Sequence, residues 1–519
     1  MADELDPQRF QSPTRRWLEQ LWRGLTGPGP QPTYVLTRFV LLRMLGVVCV
    51  AAGLSAVFQL VPLVGAEGIT PAAPELARHP GSAWSGFVAL PTVFWFDSSD
   101  AALMGGSVAV TVLAGLLLLG CENAVVLLIL WALYLSIVHV GGRWYGFGWE
   151  ILLLETLLLA ALLCPIRSLR PLARDRPPPL VAILLLRWLA FRLMLGAGLI
   201  KLRGDACWTE LTCLDAHFET QPNPNPLSWY FDSLPPLLLR AGVLFNHFAE
   251  LVLPWFVFGP RRLRIFAGLG MIAFQVFLIM SGNLSFLNWL TIVPCIACLD
   301  DQFLQRVLPR RLSAPVAASA TRASRVTAGI YAGVVLWLSL DVLINMLGRR
   351  QAMNASFDRL HLVNTYGAFG TVTKVRYELE IEGTDAVVPE GATWRPYVFR
   401  CKPGDPERRP CWISPYHIRL DWLMWFAAIE AGEYGGLARE TWVAALLDRL
   451  LAAEPGVLGL FKDVPEFNGG APTFVRVDVY RYRFAAAGEA GWWQREHVGQ
   501  LVRPVSREDP ELRMLVDAG

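Results

Sequence analysis

The chain has 519 residues, 54% of them hydrophobic and 17% charged, with a mean hydropathy of +0.39. That is too apolar for a soluble globule, and a formal charge of +2 gives no case for a nucleic-acid partner. The composition is that of an integral membrane protein, whose first partner is the lipid bilayer.

The first 37 residues are polar, basic and rich in Pro and Gly, without the apolar stretch of a secretory signal peptide. Within them TRRWLEQLWRGL (14–25) reads as a short amphipathic helix lying on the membrane surface. Nine apolar runs follow, at 38–62, 103–119, 123–140, 149–165, 180–201, 236–258, 264–281, 284–299 and 327–347. A helix needs roughly 20 residues to cross the hydrocarbon core. The runs therefore predict an all-α bundle of about nine transmembrane helices over 38–348, a juxtamembrane connector over 349–360 and a C-terminal domain over 361–519.

Arginine clusters occupy alternate connections. The tail carries Arg9, Arg15, Arg16 and Arg23, and the connection after the fourth run carries Arg167, Arg170, Arg174 and Arg176. Arg261, Arg262 and Arg264 follow the sixth run, and Arg306, Arg310, Arg311, Arg322 and Arg325 the eighth. The intervening connections hold only Arg78, Arg143 and Lys201 with Arg203. Positive residues in short loops stay in the cytoplasm, so the pattern predicts a cytoplasmic N-terminus and an external C-terminal domain. External means the periplasm or exterior of a bacterium, or the lumen of the endoplasmic reticulum.

On that map Cys207, Cys213, Cys401 and Cys411 lie outside, where disulfides persist, and sequence leaves all of their pairings open. The simplest joins Cys401 to Cys411 across the turn-rich KPGDPERRP and Cys207 to Cys213; closing the longer loop is worth roughly 2 to 3 kcal/mol. Cys295-Ile-Ala-Cys298 has the spacing of a thiol redox site, but in an apolar run beside Pro294 its thiols read as packing groups. Charged side chains inside the runs are costly and mark function or helix pairing. At ~1.5 Å per residue from the outer ends, Glu155 lies about 10 Å deep, Arg192 about 15 Å, His247 about 17 Å, and Glu250, Arg187 and Arg43 about 21 to 23 Å. An intramembrane polar network that fixes helix packing, or a substrate path, is expected among them.

In the C-terminal domain, VRYELEIE (375–382) alternates apolar and polar, the pattern of a half-buried strand. A second strand, VRVDVYRYRF (475–484), shifts phase at Val479 and Tyr480, which predicts a bulge. Ser414-Pro415 starts a helix through HIRLDWLMWFAAIE, and RETWVAALLDRLL predicts another. The domain is thus α+β and β-rich, and SREDPELRMLVDAG reads as an ordered edge fading into a tail. Trp412, Trp422, Trp425, Trp442, Trp492 and Trp493 fill its core or anchor it at the membrane, with a binding groove as the alternative.

Catalytic signatures are missing: no GxSxG, no HExxH, no P-loop and no dinucleotide fingerprint occurs. No catalytic residue is assigned, and no metal, because no histidine sits at ligand spacing from another histidine or an external cysteine. Cys411 and His417 could be drawn as a nucleophile pair, but a disulfide competes for the cysteine.

Two long strings, NTYGAFGTVTKVRYELEIEGT (364–384) and FRCKPGDPERRPCWISPYHIRLDWLMWFAA (399–428), closely resemble the signature stretches of the lipase maturation factor family. The resemblance continues through WYGFGWEILLLET (144–156), LIKLRGDACWTELTCLDAHFETQPNPNPLSWY (199–230), GVLFNHFAELVLPW (242–255), GNLSFLNWLTIVPCIACLDD (282–301) and VYRYRFAAAGEAGWWQRE. It implies a multi-pass membrane protein, without a cofactor, that assists folding and assembly of secreted homodimeric lipases. The C-terminal domain of such a protein faces the lumen and engages the client. Lys402, Pro403, Asp405, Arg409, Pro415, Tyr416, His417, Asp421 and Trp422 become candidates for domain structure or client contact.

One feature departs from the animal members. Lys201, Lys374, Lys402 and Lys462 are the only lysines among 46 basic residues, and the C-terminus has no KDEL-type signal. A GC-rich, bacterial source and hence a plasma membrane fit this bias; in a eukaryote Asn354-Ala-Ser356 would be a glycosylation site in the endoplasmic reticulum.

A second reading starts at GAGLIKLRGDACW (196–208), which distantly resembles a helix end of the vitamin K-dependent gamma-carboxylase superfamily. That resemblance implies a membrane quinone as cofactor and Lys201 as a base, a role for which desolvated lysine is suited. The plainer reading of Lys201 is a snorkelling side chain.

Overall fold

The computed structural model describes residues 32–78, 83–166, 168–309, 311–312 and 319–518, so the expected surface helix at 14–25 lies outside the described residues. Every expected apolar run is helical: α1 (Val35–Val64), α2 (Asp100–Leu119), α3 (Ala124–Gly141), α4 (Gly148–Leu163), α5 (Leu180–Gly204), α6 (Pro236–His247), α7 (Arg261–Ser281), α8 (Leu287–Ile296) and α9 (Arg322–Leu347). Seven of the described helices are long and apolar enough to cross a membrane, with α6 counted through its continuation to Phe256. The two others of the nine expected runs, α4 and α8, form shorter helices. α4 has 16 residues, and α8 has 10 with Pro294 in its last turn.

Short as they are, α4 and α8 still carry the chain between two faces. On one face the connections meet the C-terminal domain. Glu67 pairs with Arg449 (2.6 Å), Arg143 with Glu440 (3.0 Å), the carbonyls of Glu219 and Pro222 accept from Arg376 (2.8 and 3.0 Å), and Asn283 donates to the Cys411 carbonyl (2.9 Å). On the opposite face the Asp301 carboxylate accepts the free N–H groups of Val35 and Leu36 (2.9 and 2.8 Å), capping α1. There Arg38 also pairs with Glu122 (2.9 Å) and donates to the carbonyls of Ala173 and Arg176, while Arg261 and Arg264 pair with Asp300 (2.6 and 3.0 Å).

Small residues let the first two helices touch. A Cβ on Gly46 would meet the Leu118 Cα at 2.7 Å, and one on Gly53 would meet Thr111 Oγ1 at 2.6 Å, so α1 and α2 pack backbone to backbone.

The C-terminal domain is a four-stranded antiparallel sheet in the order β2-β1-β3-β4, with β1 Arg376–Thr384, β2 Arg395–Pro396, β3 Phe474–Phe484 and β4 Trp493–Val505. The register shifts between Val479 and Tyr480, where the phase change predicted a bulge. Helices α10 (Arg419–Tyr434) and α11 (Trp442–Leu451) pack against it, and one apolar core runs from Leu41 of α1 through Trp149 to Leu420 and Val477. One reading is corrected. The final stretch forms a helix, α12 (Pro510–Ala518), because Leu512 is buried and Arg503 pairs with Asp509 and Glu511 (3.0 and 3.1 Å). Gln351 of the connector donates to the Gly196 carbonyl (3.0 Å) and the Asn364 N–H to Glu155 (3.2 Å), which packs this stretch against the bundle.

Candidate functional site

The signature stretches fold into the seam between domain and bundle. Gln59, late in α1, donates to the His417 carbonyl (2.7 Å) and the Tyr416 hydroxyl (3.1 Å) and accepts from the Arg419 N–H (2.8 Å). Ser55, one turn earlier, donates to the same His417 carbonyl (3.0 Å). These bonds satisfy backbone groups at the start of α10 that no helical partner reaches. Burial, and then the charge of Arg419, push the His417 imidazole well below its ordinary pKa. Beside it, the Ser414 hydroxyl accepts from Trp289 Nε1 and donates to the Ser285 carbonyl, both at 2.9 Å.

Arg419 reaches Glu150 in the first turn of α4 at 2.8 Å, donates to the Trp144 carbonyl (2.6 Å) and lies 3.3 Å over the Tyr145 ring. Tyr134 and Trp149 donate to the same carboxylate. Within the domain, Asp421 accepts from the N–H groups of Cys401 and Lys402 (2.5 and 2.8 Å), which fixes the start of the turn closed by Cys401 and Cys411 (Cα–Cα 5.6 Å). The Lys402 ammonium pairs with Glu378 (2.8 Å), and Arg376 pairs with the same carboxylate (2.5 Å). That cluster explains why β1 is buried on its polar side too, where alternation predicted exposure. Trp422 packs against Trp149, centroids 4.9 Å apart.

The candidates thus divide. Lys402, Pro403, His417, Asp421 and Trp422 are buried and Pro415 and Tyr416 half-buried, whereas Asp405 and Arg409 are exposed on the disulfide-closed turn, beside Trp412 at 48% exposure. Cys207 is joined to Cys213, Cα–Cα 4.7 Å, and Cys295 and Cys298 are free and buried.

The six charged positions inside the runs are engaged in separate contacts rather than one connected set. Arg192 pairs with Glu155, which also accepts from the Tyr366 hydroxyl (2.7 Å) and the Asn364 amide (3.1 Å). Arg187 donates to the Ala297 carbonyl (2.9 Å) and the Tyr34 hydroxyl (2.8 Å). His247 meets the Trp208 carbonyl (2.9 Å), and Arg43 the Pro171 carbonyl (2.6 Å). Glu250 turns to Lys201. Arg192 and Glu155 pair with each other across neighbouring helices, while the other four find partners elsewhere, often on a connection. Sequence reading missed Arg38, Gln59, Glu122 and Glu150, whose signal is a polar residue at or near the edge of an apolar run.

Lys201 stands at one end of a cavity of about 260 Å³ formed by α5 to α8, residues 353–371 and α10. Its ammonium donates to Asn246 Oδ1 (2.9 Å) and to both oxygens of Glu250 (2.6 and 2.8 Å), a closed ion pair rather than an unengaged amine. A π-helical turn, Phe248–Val252, carries Glu250 into this position. The wall is aromatic, with Trp149, Trp208, Phe218, Phe274, Trp422 and Phe426 among its residues. Asn354 also lines it and accepts the Gly367 N–H (3.3 Å), so the sequon asparagine is turned inward rather than offered for glycosylation.

Comparison with known proteins accounts for both halves of this arrangement. The family model for the lipase maturation factor transmembrane domain matches residues 36–306, and that for the C-terminal domain matches 362–503. Lipase maturation factor 1 of Bos taurus is 44% identical over 515 residues, covering 92% of this chain and 90% of the relative; that of Homo sapiens is 43% identical over 525 residues, covering 93% and 91%. Lipase maturation factor 2 of Xenopus laevis is 29% identical, covering 93% of this chain and 84% of the relative. No solved structure matches. With both family domains present in order on one multi-pass chain, this protein belongs to the lipase maturation factor family.

Proposed function

We propose that this protein is a membrane-embedded maturation factor for secreted lipases, which acts on its client through the C-terminal domain. The observation that carries this reading is the match to named lipase maturation factors along both domains. The buried signature residues join domain to bundle, and the client meets the exposed turn bearing Asp405, Arg409 and Trp412. The C-terminal domain is extracytoplasmic and the N-terminus cytoplasmic, in the endoplasmic reticulum membrane of a eukaryote or the plasma membrane of a bacterium. This orientation is supported by the arginine-bearing connections, including Arg174, Arg176, Arg261 and Arg264, which gather on the face away from the domain.

The test is co-expression with a secreted homodimeric lipase in cells lacking their own maturation factor, scored as secreted lipase activity per antigen. Deleting 361–519 would strip Glu150 and Glu155 of buried partners, so surface changes are the informative ones. The triple variant Asp405→Ala, Arg409→Ala, Trp412→Ala is expected to accumulate normally and lose most of the gain. No gain with the native chain overturns the function; full gain with the triple variant overturns the client surface alone.

A further inference from the structure

The aromatic cavity beside Lys201 is built for an occupant. A void of about 260 Å³, mostly aromatic and aliphatic in its lining but with Lys201, Asn246, Glu250 and His217 at one place in its wall, suits a ligand that is apolar along most of its length and polar at one point. Its walls come from α5, α6 and α7, three of the helices long and apolar enough to cross a membrane, from the short α8, from the start of α4 and from α10 of the C-terminal domain. Met353 and Phe426, both lining it, are 44% and 37% exposed, so the cavity has a mouth where the domain meets the spans. The mouth lies beside the ends of the apolar helices, which gives an apolar ligand a way in.

The polar end sets what kind of head it accepts. The charges of Lys201 and Glu250 cancel within the pair, and Asn246 binds both partners. His217, 5% exposed, adds a ring whose nitrogens make no hydrogen bond among the described residues; burial, then Lys201, holds its pKa at about 4. A charged head would arrive at this neutral, desolvated end without a counter-ion, which is costly. An uncharged hydroxyl or carbonyl would find a donor or acceptor in Asn246 and His217.

We propose that this cavity binds a long-chain lipid with an uncharged, hydrogen-bonding head, its acyl or isoprenoid chain against the aromatic wall and its head beside Lys201, Glu250 and His217.

The experiment uses the full-length protein in phosphatidylcholine vesicles containing one of three diazirine-bearing probes: a diacylglycerol, a long-chain isoprenol or a phosphatidic acid. Labelling mapped to cavity peptides by either neutral probe supports the proposal, and the stronger of the two identifies the chain. Phosphatidic acid is expected to label about tenfold less, the equivalent of one uncompensated interaction. Ala197→Trp, which fills the cavity from α5, should abolish labelling. Glu250→Gln leaves the Lys201 ammonium without its carboxylate and should reverse the preference towards phosphatidic acid, so a folding defect in one variant does not decide the outcome. Equal labelling of the native chain and Ala197→Trp overturns the proposal, as does a native preference for phosphatidic acid or the absence of cavity labelling by either neutral probe.

Discussion

Arg419, the first residue of α10, and Glu150, in the first turn of α4, form an ion pair at 2.8 Å with neither side chain exposed to solvent. It joins an element of the C-terminal domain to a helix of the bundle, in surroundings that tolerate neither charge alone. Breaking one partner of such a pair costs about 3 to 5 kcal/mol, because the other charge is left buried. Arg419→Met is therefore expected to lower the thermal midpoint in detergent sharply and to open the domain to protease. Arg419→Met with Glu150→Gln should recover part of the loss, and a double variant as unstable as the single one would show that the charge is not the cause.

Helix contact makes a second, contrasting pair of expectations. Gly46→Val places a side chain against the Leu118 backbone and is expected to cost about 1 to 3 kcal/mol as overpacking. Gly105→Ala, on the same helix pair but with nothing within 4 Å of its Cβ, should leave the midpoint unchanged. Thermal unfolding of both variants in the same detergent checks this.

The turn closed by Cys401 and Cys411 also holds Asp405 and Arg409. Replacing both cysteines by serine is expected to cost about 2 to 3 kcal/mol through the larger entropy of the unfolded chain. Proteolysis should then appear between residues 402 and 410, while Asp421 keeps the start of the turn in place. Intact-mass measurement with and without reductant before alkylation should count four oxidised cysteines in the native chain, those of the two bonds.

Acid sensitivity follows from three histidines outside the spans, His217, His361 and His417, the last held well below its ordinary pKa by burial and then Arg419. Burial, then Lys201, holds His217 at about 4, and burial, then His139, holds His361 at about 4. Unfolded histidine takes its proton near about 6.5, so the unfolded state binds more protons as pH falls. Stability is complete above that value and is lost as pH drops through the interval towards 4. Between pH 7 and 5 the loss is up to roughly 2 kcal/mol for His217, which is nearly inaccessible, and less for the half-buried His361. His217→Gln should flatten the stability profile over this interval, measured by thermal unfolding at each pH.

Much of the architecture was legible in sequence. Apolar runs located every long helix, and alternation with its phase slip located β1, β3 and the bulge, because burial imposes those periods directly. The short α4 and α8 were harder to read, since their apolar runs extend into the extended or tight-turn segments that close each helix. β4 escaped notice because its outward side chains are mostly polar and its inner face is broken by register shifts. The site was legible as strings but not as roles. Nothing in the order of residues says that Lys402 turns inward to Glu378 while Asp405, three positions on, stays outside. Nor does it say that Gln59 and Glu150 wait for residues more than 260 positions away.

The contacts between Glu155 and residues 364–366, and between Glu150 and Arg419, also have a consequence in time. Arg419, Asn364 and Tyr366 are made only after the last span, so these contacts form late. Until then Glu155 has Arg192 of α5, but Glu150 has only the neutral donors Tyr134 and Trp149. The last segment to be synthesised is the one that closes the earliest helices. A chain that stops short of residue 419 leaves Glu150 without its cationic partner, so charge balance at the start of α4 depends on a residue made after every span.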